Sequence, residues 1–308
     1  SILTTDYNGF NISCNGYNDG GIDLNVSGDF TYLWNNIDTT EDLTNLTADI
    51  YNLTVSDSNG CSIDTSFILS EPTPITIQNQ ISNYNGYNIS CYDSTDGWIE
   101  VNLIGGVQPY DFNWSNGNTS LSNLNLSAGV YYLEVVDEND CYYFESYNLI
   151  QPNEIITSIQ SLNDFNGFDI SCNGYFDGAI DFEVTGSVPP YSYFWDSGQI
   201  TQDVSNINAG SYIINVLDNN GCTHSNTITL NEPTSLVGTI QSSNNYNSYD
   251  VSCTGYLDGG VSLTINGSVP PYDYTWNNGA TNQNLTNIGA GFYSVQVIDD
   301  NNCIINQD

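Results

Sequence analysis

The chain repeats one unit, and that repeat limits the fold more tightly than any bulk property. Residues 171 to 222 read SCNGYFDGAIDFEVTGSVPPYSYFWDSGQITQDVSNINAGSYIINVLDNNGC, and residues 252 to 303 read SCTGYLDGGVSLTINGSVPPYDYTWNNGATNQNLTNIGAGFYSVQVIDDNNC. The second Cys follows the first by 50 positions in three units (Cys91 to Cys141, Cys172 to Cys222, Cys253 to Cys303) and by 47 in the first (Cys14 to Cys61). The shortfall lies before Trp34, where SGDFTYLW stands in place of the SVPPY turn. From unit to unit the first Cys advances by 77, 81 and 81 residues. Such a period is too long for one coil of a solenoid and suits a small all-β domain. The 308 residues then make four tandem domains. The recurring dipeptides Glu71-Pro72, Gln151-Pro152 and Glu232-Pro233 place the boundaries at 1–72, 73–152, 153–233 and 234–308. Proline fixes its own φ and restricts its predecessor, so these joints read as short and semi-rigid. No Gly/Ser-rich linker separates the units.

Inside a unit the apolar residues alternate with period two. Ile180, Phe182 and Val184 alternate with Asp181, Glu183 and Thr185, which predicts a strand with one wet and one buried face. Tyr191, Tyr193 and Trp195 form the next strand, and Tyr212, Ile214 and Val216 the longest. The sequence Asp218-Asn219-Asn220-Gly221 is a turn, because Asn and Gly tolerate positive φ. With a lead-in strand before the first Cys and a last one holding Ile228 and Leu230, the count is about seven strands. That predicts tandem immunoglobulin-like β-sandwiches. Trp34, Trp114, Trp195 and Trp276 each stand 27 positions before the second Cys, the place of a core aromatic. An exposed platform for stacking carbohydrate is the alternative for these Trp residues.

Charge decides the classes of partner. There are 36 acidic residues, no Lys or Arg and one His, for a net charge of −36. Nothing here can neutralise a nucleic-acid phosphate or an acidic lipid surface. No run of 18 apolar residues is present to span a bilayer as a helix. The 23 Tyr, 11 Phe and 5 Trp nevertheless supply ample core, so the chain is folded rather than disordered. It contains no Met and no visible signal peptide, which reads as a processed product or a window of something longer.

Eight cysteines without a CxxC or His cluster predict disulfides and an oxidising, extracellular setting. The simplest pairing closes each unit on itself: Cys14–Cys61, Cys91–Cys141, Cys172–Cys222 and Cys253–Cys303, with no thiol left over. These points fall at opposite ends of a standard sandwich, however. A rival joins Cys61 to Cys91, Cys141 to Cys172 and Cys222 to Cys253.

The acids are spread through every unit with no counter-charge, so salt or divalent cations should relieve their repulsion. Hard oxygens gather in turns at Asp57 and Asn59, Asp137 and Asn139, Asp218 and Asn220, and Asp299 and Asn302. A second group comprises Asn18, Asp19, Asp93, Asp96, Asp177 and Asp258. Calcium suits such oxygens, although Asp-x-Asn-Gly is also plain turn chemistry and no EF-hand loop occurs. No other cofactor is expected. Sequons for N-glycosylation occur at Asn11, Asn25, Asn45, Asn52, Asn88, Asn113, Asn118, Asn125, Asn266 and Asn284. In so Asn-rich a chain they speak for a wet surface more than for glycans.

Catalysis finds no footing. His224 is the single His, in one unit of four, and no Ser-His-Asp set or phosphate-binding Gly loop is present. Asp181 and Glu183 correspond to Ser262 and Thr264, so a carboxylate pair does not recur between units. The chain is not read as an enzyme.

The combination SC-x-G-x-x-DG, G-x-PPY-x-Y-x-W, AG-x-Y and D-x-NGC resembles the SprB repeat, found in cell-surface adhesins of gliding and marine Bacteroidetes. The resemblance runs over essentially the whole chain, four times. It implies type IX secretion, display in long surface filaments, and support of attachment and, in some relatives, gliding. The partners it implies are neighbouring repeats of the same or an identical chain, with surface glycans or abiotic surfaces as adhesive targets. Two alternatives stand beside this fibre: an array of glycan-binding modules, and a subunit that polymerises by donating a β-strand. The second alternative follows from the ends. Only five residues follow Cys303, so the fourth unit is expected to lack its last strand and to be completed by continuation of the chain or by a neighbour.

Overall fold

A computed structural model describes residues 1–308, and every regular element in it is a β-strand. The first repeat contains β1 (Ile2–Thr4), β2 (Gly20–Leu24), β3 (Phe30–Trp34), β4 (Leu43–Leu46), β5 (Ile50–Asp57) and β6 (Ser62–Ile68). The second contains β7 (Thr76–Ile81), β8 (Gly97–Ile104), β9 (Tyr110–Trp114), β10 (Ser122–Leu126), β11 (Gly129–Asp137) and β12 (Tyr142–Leu149). The third contains β13 (Ile156–Ser161), β14 (Gly178–Thr185), β15 (Ser192–Trp195), β16 (Val204–Ile207), β17 (Gly210–Leu217) and β18 (Thr223–Leu230). The fourth contains β19 (Val237–Ser242), β20 (Gly259–Asn266), β21 (Tyr272–Trp276), β22 (Leu285–Ile288), β23 (Val295–Asp299) and β24 (Ile304–Gln307).

Each repeat folds into two three-stranded antiparallel sheets, β1-β2-β4 and β3-β5-β6 in the first and their counterparts in the others. The fold is a tandem array of immunoglobulin-like sandwiches, with six strands per repeat rather than about seven. The stretch between the core Trp and the fourth strand forms turns, which accounts for the difference. Two compact units result, Ser1–Asn153 and Glu154–Asp308, each holding two repeats.

The period-two pattern governs what is buried. Along β14 the pattern buries Ile180 and Phe182 while their neighbours face outward, and β17 buries Tyr212, Ile214 and Val216. Trp34, Trp114, Trp195 and Trp276 are all buried. Each indole Nε1–H donates to the carbonyl six residues on, at Thr40, Ser120, Thr201 and Asn282, over 2.8–2.9 Å. A buried indole needs such an acceptor, so the turn after each Trp is part of the core. Phe182 packs edge-on against Tyr193 and Trp195.

The fourth repeat does not lack its last strand. Residues Ile304–Gln307 form β24, which pairs with β23 from Val295↔Gln307 to Ile298↔Ile304. This strand is four residues long against eight in β18. The last strand begins directly after the second Cys, so the residues that follow Cys303 already suffice to make it.

Candidate functional site: the stapled junction between repeats

Two loops that recur from repeat to repeat lie at opposite ends of the sandwich, and hydrogen bonds fix which end each occupies. The SC-x-G-x-x-D loop is closed on itself by its Asp. The Asp19 carboxylate accepts Ser13 N–H at 3.1 Å and the Ser13 hydroxyl, and Asp177 does the same for Ser171. Asp96 accepts Ser90 N–H and Asp258 accepts Ser252 N–H, both at 3.1 Å. These bonds, led by the Ser252 hydroxyl, hold the Asp258 carboxyl below its ordinary value. The loop is then clamped to the trailing joint. Glu71 accepts Asn15 Nδ2–H at 3.0 Å and Gly16 N–H at 2.6 Å, and Glu232 accepts Asn173 Nδ2–H at 2.8 Å and Gly174 N–H at 2.6 Å. Pro72 and Pro233 are buried beside them. The first Cys of a repeat therefore faces its trailing end.

The second Cys faces the leading end. The D-x-N-x-C turn is organised by its Asp, whose Oδ1 accepts two backbone N–H groups. Asp137 takes those of Asn139 and Cys141, both at 2.9 Å, and Asp299 takes those of Asn301 and Cys303, at 3.0 and 2.7 Å. The other oxygen binds the loop before the third strand: Asp137 Oδ2 accepts Val107 N–H at 2.8 Å, and Asp299 Oδ2 accepts Val269 N–H at 3.1 Å. That loop lies on the incoming joint. Gly106 N–H donates to Thr73 O at 2.8 Å, and a Cβ on Gly105 (φ +87°) would stand 2.0 Å from Pro74 O. Glycine is required there by both φ and space. The aromatic of the PPY sequence closes the loop, since Tyr272 O–H donates to Gly267 O at 2.6 Å and Tyr191 does so to Gly186.

The disulfides follow from this polarity. Cys14 bonds Cys141 and Cys172 bonds Cys303, each with Cα atoms 5.6 Å apart. Within each compact unit, the first Cys of the leading repeat is bonded to the second Cys of the repeat that follows. Neither the intra-repeat pairing nor the adjacent-Cys rival occurs for these residues. The physical reason is that one cysteine sits at each end of a sandwich, where it reaches a neighbour and not its own mate. Cys91 and Cys222 are disulfide-bonded as well. Cys61 and Cys253 carry free, exposed thiols, so the expectation that no thiol is left over does not hold.

A side chain that sequence reasoning had placed among metal ligands completes the junction. Asn139 Nδ2–H donates to Tyr7 O at 3.2 Å and Ser13 O at 3.0 Å, while its Oδ1 accepts Asn8 Nδ2–H at 2.7 Å. Asn301 repeats this, with donation to Phe165 O and Ser171 O at 3.1 Å and acceptance from Asn166 at 2.7 Å. Asn301, rather than Asn302, is thus the counterpart of Asn59, Asn139 and Asn220. The receiving element is a tight aromatic-Asn-Gly-aromatic hairpin, with bridges Tyr7↔Phe10, Tyr84↔Tyr87, Phe165↔Phe168 and Tyr246↔Tyr249. Positive φ at Asn8 (53°) and Gly9 (93°) marks the tight turn. Recurring Asn8-Gly9, Asn85-Gly86 and Asn166-Gly167 between aromatics was the sequence signal for it.

The proposed calcium oxygens are used otherwise. Asp137 and Asp299 spend both oxygens on backbone N–H groups, and no group of three or more His, Cys, Asp or Glu is gathered that could hold an ion. At Asp137 and Asp299 calcium would have to displace these donors. In the exposed Asp57 turn the carboxyl is held below its ordinary value by backbone donors, Cys61 N–H first. Among the sequons, Asn11 and Asn88 are spent structurally. Their Nδ2–H groups donate to Thr5 O and Ser82 O, and their Oδ1 atoms accept Ser70 N–H and Ile150 N–H. Asn25, Asn45, Asn52, Asn113, Asn125, Asn266 and Asn284 are exposed, and Asn118 is half-buried.

The SprB repeat family model matches residues 84–119, 168–200 and 245–281. No curated protein matches the chain. A solved tetra-tandem repeat from the extending region of a large adhesion protein is 12% identical, covering 99% of this chain and 96% of that one at a TM-score of 0.29. The N-terminal eight Ig domains of Down Syndrome Cell Adhesion Molecule are 9% identical, covering 96% of this chain and 54% of that one at 0.23. A Dpr2 Ig1-Ig2 complex with DIP-Theta Ig1-Ig3 is 9% identical, covering 74% of this chain and 98% of that one at 0.24. Three of the four repeats thus carry a segment that matches the SprB repeat, within a disulfide-stabilised, extracellular array of β-sandwich domains.

Proposed function

We propose that the chain is a load-bearing segment of a cell-surface adhesive fibre, its four domains divided at 1–72, 73–152, 153–233 and 234–308. The observation that carries this is the junction. Within each half, adjacent repeats are held by a disulfide, an Asn that donates to two carbonyls, and a joint clamped by Glu71 or Glu232. A staple between domains resists their separation, whereas a staple within a domain leaves the joint free. The absence of Lys and Arg removes every tryptic site, which suits a durable extracellular material.

Pulling single molecules from their termini tests the reading. Residues between Cys14 and Cys141, and between Cys172 and Cys303, lie inside covalent loops. The oxidised chain should therefore extend far less than the reduced chain before rupture. Equal extension in both states would remove the load-bearing role.

A second reading, adhesion through exposed aromatics, rests on Tyr17, Tyr175 and Tyr256. They hold the same place in the SC-x-G loop of three repeats, and all are exposed. The stacked, exposed pair Tyr132 and Phe144, with centroids 5.7 Å apart, belongs to the second repeat alone. Its counterparts are Asn52 and Asp64, Ile213 and Ser225, and Ser294 and Asn306. Retention on immobilised glycans that is lost on changing the three tyrosines to Ala would support this reading, and unchanged retention would end it.

A further inference from the structure

The outer face of the second repeat carries a feature that neither the core nor the junction uses. Strands β9, β11 and β12 form one sheet, whose inner side buries Leu133, Val135 and Tyr147. On the outer side the exposed rings of Tyr132 and Phe144 stack with centroids 5.7 Å apart and planes 22° apart, and the exposed Tyr142 lies on the same face as Phe144. Contiguous aromatic surface left in water marks an interaction site. Glu134 stands among these rings. It is the cross-strand partner of Phe144 on one side and of Asn113 on the other, and it is half-buried. Together with Asn113, Ser115, Tyr132 and Phe144 it lines an open groove of about 310 Å³. The carboxylate and the rings occur together: the Glu134 position holds Thr54, Asn215 and Gln296 in the other repeats, none of which has the ring pair.

What the groove offers narrows the ligand. Its polar groups are already paired with one another. Asn113 Nδ2–H donates to Glu134 Oε2 at 3.1 Å, Tyr142 O–H to Glu134 Oε1 at 3.2 Å, and Tyr132 N–H to Ser115 Oγ at 3.1 Å. A sugar, rich in hydroxyls, would compete with these bonds to make its own. The charge of the carboxylate, by contrast, has no counter-charge, since the chain contains no Lys or Arg. Aromatic faces attract a cation that lies within about 6 Å of the ring centroid, and a quaternary ammonium is the cation best suited to them. It donates no hydrogen bond, so it uses the charge and the rings without disturbing the paired groups. The net charge of −36 draws cations to this surface and repels anions.

We propose that this face binds a small quaternary-ammonium cation of the choline class, held over the Tyr132 and Phe144 rings with Glu134 as its counter-ion. The site is separate from the load-bearing junction and does not depend on the fibre reading.

Proton NMR of the whole oxidised chain tests the site, with choline chloride as the probe and sodium chloride at equal ionic strength as the reference. The methyl signal of choline should move upfield under the ring currents and saturate. The uncharged isostere, in which a tert-butyl group replaces the trimethylammonium, should bind wild type about five-fold more weakly or less. Glu134→Gln and Phe144→Leu, compared at unchanged melting temperature, should each weaken choline about five-fold, whereas Phe144→Trp should bind it at least as well as wild type. Equal binding of choline and its isostere, or Glu134→Gln titrating like wild type, would overturn the proposal. A neutral oligosaccharide that binds where choline does not, and is lost in Phe144→Leu, would overturn it in favour of carbohydrate. Retention on phosphatidylcholine vesicles without binding of free choline would overturn it in favour of a lipid surface.

Discussion

The turn at Asp57–Cys61 and the turn at Asp137–Cys141 are nearly the same object in two circumstances. In both, one Asp Oδ1 accepts two backbone N–H groups at 2.9 Å. The second turn is bonded to a preceding repeat and the first is not. Consequently Cys141 is buried and disulfide-linked, and Asn139 binds across the junction, while Cys61 and Asn59 are exposed. The local sequence builds the turn, and the neighbour decides what the turn does. The Cys172–Cys303 junction sharpens the point. Its cysteines are 131 apart in sequence against 127 for Cys14–Cys141, yet the Cα separation is 5.6 Å in both. Loss of the PPY loop from the first repeat leaves the junction geometry untouched.

Breaking the comparison at its covalent link should give the largest effect. By loop-entropy scaling, Cys141→Ser or Cys14→Ser costs about 5 kcal/mol. Cys61→Ser should leave stability within about 0.5 kcal/mol, as for other exposed positions. Thermal unfolding of each variant, compared with reduced wild type, checks both numbers.

Asn139→Ala should cost about 1–3 kcal/mol, because two carbonyls at the junction lose their donor. Asn59→Ala should be neutral to about 0.5 kcal/mol. Denaturant midpoints for the pair measure the difference directly, and equal losses would place the Asn contribution inside the turn rather than across the junction.

Acid distinguishes the open turn in another way. The Asp57 carboxyl lies below its ordinary value of 3.8, held there chiefly by Cys61 N–H. A depressed carboxyl contributes stability that is present above that ordinary value and lost as pH falls through the folded value. Asp57→Asn should therefore lower the neutral plateau toward the wild-type acid value and flatten part of the acid limb below about pH 4. Melting temperature against pH for wild type and variant is the measurement.

The smallest expected effect concerns calcium. Because both carboxylate oxygens of Asp137 and Asp299 already accept backbone N–H groups, calcium should stabilise the chain no more than magnesium at equal ionic strength. Both should act by screening a net charge of −36. A calcium-specific rise in melting temperature would restore a site in these turns.

Much of this was legible before any coordinates. The alternation at Ile180 and Phe182 identified a half-buried strand, and the fixed place of Trp195 identified a core position, because side-chain direction in a strand has period two. Asp218-Asn219-Asn220-Gly221 was legible as a turn for reasons of φ. The role of Asn139 was not. An Asn beside an Asp in a turn has the same sequence signature whether it binds an ion, faces water or donates to another domain.

The sequence by itself determined the repeat, the sandwich, the core aromatics and the turns, since all of these depend on residues near one another in the chain or on a local period. The tertiary structure alone decided the cysteine pairing, the donors that occupy the acidic turns, and the six-strand count with β24 included. Those depend on which end of a domain meets which. Spacing along the chain carries no record of that, because the two cysteines of one repeat are separated by the length of its sandwich, while those of successive repeats meet at a joint.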